Sequence, residues 1–277
     1  MQKKLRGNSL LGLLAGCAMV LWLAGCGAPG HVTPAVAANP GTQTDIVTAS
    51  DEPEARKHAR TRLQLAIGYF EQGQTTVALD ELKQALVIDP SFSDAFNLRG
   101  LIYMRLNDLR LAEDSFRRAL ALNPREPNTM HNYGWLMCQQ GRYAESVQMF
   151  EQALANPIYS ARAKTLMTEG LCQQRANLLP EAERSLSRSY ELDPGNPITG
   201  YNLATLLYQR GEWTRAQFYI RRINNSELAN SESLWLGIKV ERRMENREAM
   251  MQLVDQLRKR YAQSRELAAY ERGAFDE

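Results

Sequence analysis

The triplet Ile88-Asp89-Pro90 recurs as Leu122-Asn123-Pro124, 34 residues later, and as Leu192-Asp193-Pro194 after a further 70 residues. The second interval is two periods of 34 plus two residues. Self-similarity at a fixed period of this size is the signature of a repeat architecture. Proline disfavours helical backbone in the residue before it, so each triplet predicts the end of a helix.

Alignment on this frame places residues of defined size at fixed positions in every repeat. One position is small, as Ala66, Gly100, Gly134, Gly170, Ala204 and Gly237. A position sixteen residues later is large and apolar, as Leu82, Phe116, Phe150, Leu186, Ile220 and Leu253. Small residues allow two helices to cross closely, and a large residue fills the remaining gap. Turn-forming residues between the helices of a pair are Gly73, Asn107, Gly141, Asn177 and Gly211.

This pattern resembles the tetratricopeptide repeat, with six copies over residues 59–262. The resemblance implies an all-α fold, a right-handed superhelical solenoid of six helix pairs whose first helices line the concave face. A short helix from Arg265 to Gly273 is expected to cap the open apolar edge of the last repeat. Two extra residues fall between repeats 3 and 4, after Ala155-Asn156-Pro157. Unrelated helical hairpins are the alternative.

The N-terminus reads as a secretory signal, with a basic start over Met1–Asn8 and an apolar core over Ser9–Leu23. Leu23-Ala24-Gly25-Cys26 resembles the bacterial lipobox, which implies that Cys26 is lipidated and becomes the mature N-terminus. Cleavage at the earlier Cys17 would leave an apolar core of about five residues, below the ~7–15 expected. An uncleaved signal anchor is the alternative.

The predicted organisation is a lipoprotein signal peptide over 1–25, a lipidated N-terminus and flexible tether over 26–53, and a repeat domain over 54–277. Pro29, Pro34 and Pro40 interrupt any helix between Gly27 and Ser50, a stretch that has no lysine or arginine and that we interpret as a tether. Gly27 follows the cysteine where aspartate commonly signals inner-membrane retention, so the outer membrane, on its periplasmic face, is implied.

The composition argues against nucleic-acid binding and against most kinds of enzyme activity. Of the 277 residues, 33 are Lys or Arg and 31 are Asp or Glu, so the chain lacks the dense basic face that nonspecific nucleic-acid binding needs. The three histidines, His31, His58 and His131, are scattered, and neither a metal cluster nor a catalytic triad is visible. We therefore expect no enzyme activity, cofactor, metal or small-molecule substrate.

A more specific resemblance lies in repeats 3 and 4. The stretches Asn132-Tyr133-Gly134-Trp135-Leu136-Met137-Cys138-Gln139-Gln140-Gly141-Arg142 and Glu169-Gly170-Leu171-Cys172, with the lipobox and the tail Ala269–Phe275, are similar to the type IV pilus biogenesis/stability lipoproteins, the PilW/PilF-type pilotins. The resemblance implies an outer-membrane protein that helps the pilus secretin to localise and multimerise. Met137 and Thr168 depart from the family pattern. A different periplasmic repeat lipoprotein, scaffolding outer-membrane protein insertion or cell-wall enzymes, is the alternative.

Cys138 and Cys172 lie on the first helices of adjacent repeats. Helices packed side by side at ~8–10 Å permit a disulfide if both side chains face inward, and an oxidising periplasm favours the bond. Two buried free thiols are the alternative.

Apolar residues also occupy positions on the expected concave face, where side chains usually meet solvent. These are Leu63, Ile67 and Phe70 in repeat 1, Leu101 and Met104 in repeat 2, and Trp135 in repeat 3; His131 of repeat 3 is expected to line the same face. They predict an exposed groove that binds a partner. Alternatively, Glu54–Arg60 or the tether covers them.

Overall fold

Helices and short turns account for residues 51–275, the part of the chain that this computed structural model describes. The signal peptide, Cys26 and the tether up to Ser50 lie outside the described residues. The helices are α1 (Glu54–Glu71), α2 (Thr75–Ile88), α3 (Ser93–Arg105), α4 (Leu109–Leu122), α5 (Pro127–Gln139), α6 (Tyr143–Ala155), α7 (Arg162–Arg175), α8 (Leu179–Leu192), α9 (Pro197–Gln209), α10 (Trp213–Asn224), α11 (Ser231–Arg243), α12 (Arg247–Arg260) and α13 (Arg265–Arg272).

Successive helices pack as six pairs, from α1 with α2 to α11 with α12, and each pair also contacts the next pair. First helices meet one another directly, as α1 meets α3, α3 meets α5, α5 meets α7 and α9 meets α11. This is the arrangement of a tetratricopeptide solenoid, and the all-α prediction of six helix pairs is confirmed. No strand occurs within residues 51–275.

The helix ends follow the predicted stop signals. Helices α2, α4 and α8 end at the first residue of the three repeated triplets, two residues before the proline. The five turn residues predicted from the repeat frame all have left-handed backbone, with φ between 58° at Asn177 and 78° at Gly73. Only glycine, and asparagine to a lesser degree, adopts this conformation readily, which explains those residue types at the turns.

The pairing of small with large residues is confirmed in atomic detail. A Cβ added to Gly100 would lie 2.5 Å from the ring of Phe116, and one added to Gly134 would lie 2.9 Å from the ring of Phe150. Both distances are shorter than any real carbon contact, so the two helices of a pair approach this closely only because the side chain is missing.

The predicted capping helix is α13. The Ser264 hydroxyl accepts a hydrogen bond from the backbone N–H of Leu267 at 3.1 Å and so caps its first turn. Gly273 ends it in left-handed backbone with φ 70°. Leu267 and Ala269 are buried against α11 and α12, so the edge of repeat 6 is covered. Within residues 51–275, no helix combines the length and the hydrophobicity needed to cross a bilayer.

Candidate functional site

The first helices of repeats 1 and 2 carry five apolar residues predicted to line a groove, and four of them keep part of their surface exposed. Ile67 and Phe70 on α1 and Leu101 and Met104 on α3 are all half-buried. Ile67, Phe70 and Leu101 pack against the core of the first two repeats, and Met104 packs against the core of repeats 2 and 3. We call these four residues the N-terminal groove. Each keeps part of its apolar surface exposed.

Leu63 does not belong to the groove, and the expectation that it is exposed is wrong. Its side chain is only 5% exposed and belongs to the same buried cluster as Ala95 and Leu98 of α3. Helix α3 packs beside α1 and shields this position, which the sequence frame placed on the open face. The alternative cover, Glu54–Arg60, is the first part of α1 itself.

An arginine borders the groove at Phe70. The Arg105 guanidinium lies 4.3 Å from the centre of the Phe70 ring and donates a hydrogen bond to the Phe70 carbonyl oxygen at 2.7 Å. A cation–π contact of this kind attracts the guanidinium to the ring face and helps to hold the ring in place. The groove is therefore an apolar surface with a positive charge at one edge.

His131 is a packing residue, and its predicted place in the groove is also wrong. The imidazole is 6% exposed, with Nδ1 2.9 Å from the Thr165 hydroxyl of α7 and the ring centre 5.8 Å from that of Phe150. Burial, with a smaller effect from Lys164, lowers the pKa of His131 to about 4. Helix α7 covers this position just as α3 covers Leu63.

Trp135 is half-buried beside the two cysteines. The Arg175 guanidinium lies 4.8 Å from its ring centre, so the open face of the indole is partly covered. Cys138 and Cys172 are joined by a disulfide with a Cα–Cα distance of 5.9 Å, and both side chains are buried. The bond ties α5 to α7, the first helices of repeats 3 and 4.

The sequence reading missed a buried polar pair on α7. Glu169 and Gln173 are 5% and 6% exposed, at the positions one residue before and three residues after the small residue of the repeat. The other late repeats place Leu203 and Leu207, or Leu236 and Val240, at these positions. Comparing the chemistry of equivalent repeat positions would have revealed the pair.

Burial of the carboxyl group is the main cause of a raised pKa at Glu169, to about 7, and nearby Glu151 adds to it. Gln173 Oε1 has no hydrogen-bond partner among the described residues. Since both side chains are buried, ionisation of Glu169 bears on the stability of the fold.

The inner face of repeats 1 and 2 presents half-buried apolar side chains. In the part of the chain that the structure describes, no group of three His, Cys, Asp or Glu side chains is placed to hold a metal ion. The half-buried apolar side chains of the N-terminal groove, edged by Arg105, suit a protein segment with an apolar face.

Comparison with known proteins finds tetratricopeptide-repeat family models and a type IV pilus assembly protein that are similar to this chain. Tetratricopeptide-repeat family models match residues 92–157 and 138–197, and a related TPR repeat model matches 69–107. The type IV pilus assembly protein PilF of Pseudomonas aeruginosa is 29% identical over 231 residues, which cover 83% of this chain and 90% of that protein.

Two solved structures agree with this relationship. The structure of PilW, described as a widely conserved type IV pilus biogenesis factor, superposes with a TM-score of 0.69 at 29% identity and covers 76% of this chain and 97% of its own. The Pseudomonas aeruginosa PilF structure gives a TM-score of 0.72 at 27% identity and covers 80% of this chain and 100% of its own. The chain is a tetratricopeptide-repeat protein homologous to the type IV pilus biogenesis proteins PilF and PilW.

Proposed function

We propose that this protein is a pilotin, an outer-membrane lipoprotein that binds the type IV pilus secretin and promotes its localisation and multimerisation. The observation that carries the proposal is similarity to PilF over 90% of that protein's length, which supports a role in pilus biogenesis. We add to this role two further proposals: that the partner is the secretin, and that the protein is located at the outer membrane.

Anchoring at Cys26 supplies the location. A single acyl chain holds a protein at a membrane only marginally, so stable attachment needs the two or three chains of a bacterial lipoprotein. The 27 residues from Gly27 to Pro53 then link the anchor to α1. The repeats are thereby kept close to the membrane in which the secretin assembles.

The N-terminal groove supplies the recognition surface. A helix laid in an apolar groove presents residues at i, i+3, i+4 and i+7, and an extended segment presents every second residue. Either would bury the exposed parts of Ile67, Phe70, Leu101 and Met104. Arg105 at the edge favours a segment that carries an acidic or carbonyl acceptor beside its apolar residues.

The proposal is tested in cells from which the gene has been removed. Wild-type protein should restore heat-resistant secretin multimers in the outer membrane, and mass spectrometry of the mature N-terminus should show acylated Cys26. A Cys26→Ser variant should reach the periplasm but leave multimers depleted. Full multimer formation without the protein would contradict the proposal and favour another periplasmic scaffolding role.

A further inference from the structure

A second depression lies on the first helices of repeats 5 and 6. Its cavity of about 490 Å³ is lined by Tyr201 and Tyr208 of α9, Trp235 and Lys239 of α11, and Phe275 after α13. This volume falls within the ~300–1,000 Å³ typical of ligand-binding clefts. We call it the α9–α11 pocket; it shares no residue with the N-terminal groove.

The pocket walls are aromatic and held in place by contacts with one another. The rings of Trp235 and Phe275 have centres 5.2 Å apart. The Lys239 ammonium lies 5.5 Å from the centre of the Trp235 ring and 5.7 Å from that of Tyr208. Such positioning attracts the cation to the ring faces and fixes its charge at the pocket wall. Phe275 makes the C-terminal segment a wall of the pocket as well as a cap.

The two ends of the pocket carry opposite charges. Glu232, on the first turn of α11, and Glu266 of α13 line the end beside Tyr201, where burial and these two carboxylates raise the pKa of the Tyr201 phenol. Lys239 and Arg243 line the end towards the C-terminus of α11. Glu232 and Lys239 are seven residues apart on one helix, a separation of ~10.5 Å along its axis.

We propose that the α9–α11 pocket binds an extended peptide segment of a partner protein, with one basic and one acidic side chain separated by apolar residues. An extended chain rises ~3.3 Å per residue and its side chains alternate between two faces, so two charges that both face the pocket lie four residues apart and span ~13 Å. The long lysine and glutamate side chains adjust this span to the two ends of the pocket, and the apolar residue midway between them would lie against the aromatic walls. The site does not depend on secretin binding by the N-terminal groove.

Three fluorescent peptides test the proposal. They share a central Ala-Tyr-Ala triplet, whose tyrosine faces the same way as the flanking residues, and differ only in those flanking residues, which are lysine and glutamate, two lysines, or two glutamates. Fluorescence anisotropy with the full-length protein in detergent should show the lysine–glutamate peptide binding most tightly. This ranking holds in whichever direction the peptide lies, since it depends on opposite charges at the two ends.

Charge reversal at one end should change the preferred peptide. The double variant Lys239→Glu/Arg243→Glu makes both ends acidic and should shift the preference about ten-fold towards the two-lysine peptide. Glu232→Lys/Glu266→Lys makes both ends basic and should shift it about as far towards the two-glutamate peptide. All four residues are at least partly exposed, so thermal unfolding should confirm that the variants fold. Equal binding of all three peptides, or an unchanged ranking in both variants, would overturn the proposal.

A second copy of this chain is the competing occupant. Sedimentation at several concentrations distinguishes it, because a copy seated in the pocket would produce a dimer. A dimer that Lys239→Glu abolishes would overturn the peptide proposal, and a monomer that binds the peptides as ranked supports it.

Discussion

The Gln173 side-chain amide donates a hydrogen bond to Glu169 Oε1 at 3.3 Å inside a helix interface where neighbouring repeats place hydrophobic residues. The carboxyl group is 5% exposed, and burial raises its pKa to about 7 from 4.5. A group whose pKa is raised on folding contributes stability that is present below pH 4.5 and is lost as the pH rises through 7. The charged form at neutral pH therefore works against the fold.

Glu169→Gln should stabilise the protein at pH 8 by up to about 3 kcal/mol and by much less at pH 5. The substitution removes the buried charge, and the new amide can donate to the otherwise unpartnered Gln173 Oε1. Urea unfolding at the two pH values measures the effect. Glu191→Gln, on the exposed surface of α8, is the matched control and should change stability by less than about 0.5 kcal/mol. An equal effect of Glu169→Gln at both pH values would show that charge burial is not the cause.

His131 should contribute a pH dependence of opposite sign. Its pKa falls from 6.5 to about 4 on folding, so the unfolded chain binds more protons between these values. Stability from this group is therefore present above pH 6.5 and lost as the pH falls towards 4, by at most about 3 kcal/mol.

The effect of His131 is best measured in a Glu169→Gln variant. In the wild type, ionisation of Glu169 and of His131 changes the free energy of unfolding in opposite directions over the same pH range. Adding His131→Gln should flatten the remaining fall in stability between pH 6.5 and pH 4.5. Adding His58→Gln, at an exposed position of α1, should leave it unchanged. If both double variants show the same slope, His131 is not the group responsible.

The disulfide between Cys138 and Cys172 should stabilise the folded chain. It closes a loop of 34 residues, for which the chain-entropy treatment gives about 4 kcal/mol. Unfolding by guanidinium chloride should therefore have a lower midpoint for Cys138→Ser/Cys172→Ser than for the wild type. The wild type in reducing agent should approach the double variant. Complete alkylation of both cysteines in unreduced periplasmic protein would instead support two free thiols.

Glycine-to-alanine substitution should have opposite effects on stability at Gly100, where two helices cross closely, and at Gly68, where there is free space. Gly100→Ala places a Cβ 2.5 Å from the Phe116 ring and should destabilise the protein by about 1–3 kcal/mol. Gly68→Ala, on the preceding first helix, has no neighbouring atom within 4 Å and should stabilise it by up to about 1 kcal/mol. Thermal unfolding of the two variants compares them directly. Similar destabilisation by both would mean that the crossing at Gly100 can relax.

Features within one repeat could be predicted from sequence, because they depend on residues close together in the chain. The contact of Gly100 with Phe116 and the left-handed turns at Asn107 and Asn177 follow from residue type at a fixed repeat position. Their periodic recurrence made the signal strong.

Features between repeats were predicted less well. Leu63 and His131 were placed on an open surface, but the next first helix covers each of them. The degree of cover depends on how closely adjacent first helices pack, which residue type alone does not determine. The α9–α11 pocket was missed because Phe275, one of its walls, comes from outside the six repeats.

The central claim is that the N-terminal groove recognises the secretin. Replacing a half-buried anchor by a charged residue should weaken binding at least about 30-fold, because the carboxylate would be desolvated without a partner. Met104→Glu makes this change in the groove. Ile158→Glu makes it at a residue that is 88% exposed, in the turn before α7.

The most direct test is the amount of secretin that co-purifies with tagged, lipidated protein from detergent-solubilised outer membranes. We predict that the wild type and Ile158→Glu recover equal amounts and that folded Met104→Glu recovers almost none. Equal recovery by all three proteins would contradict recognition through the N-terminal groove.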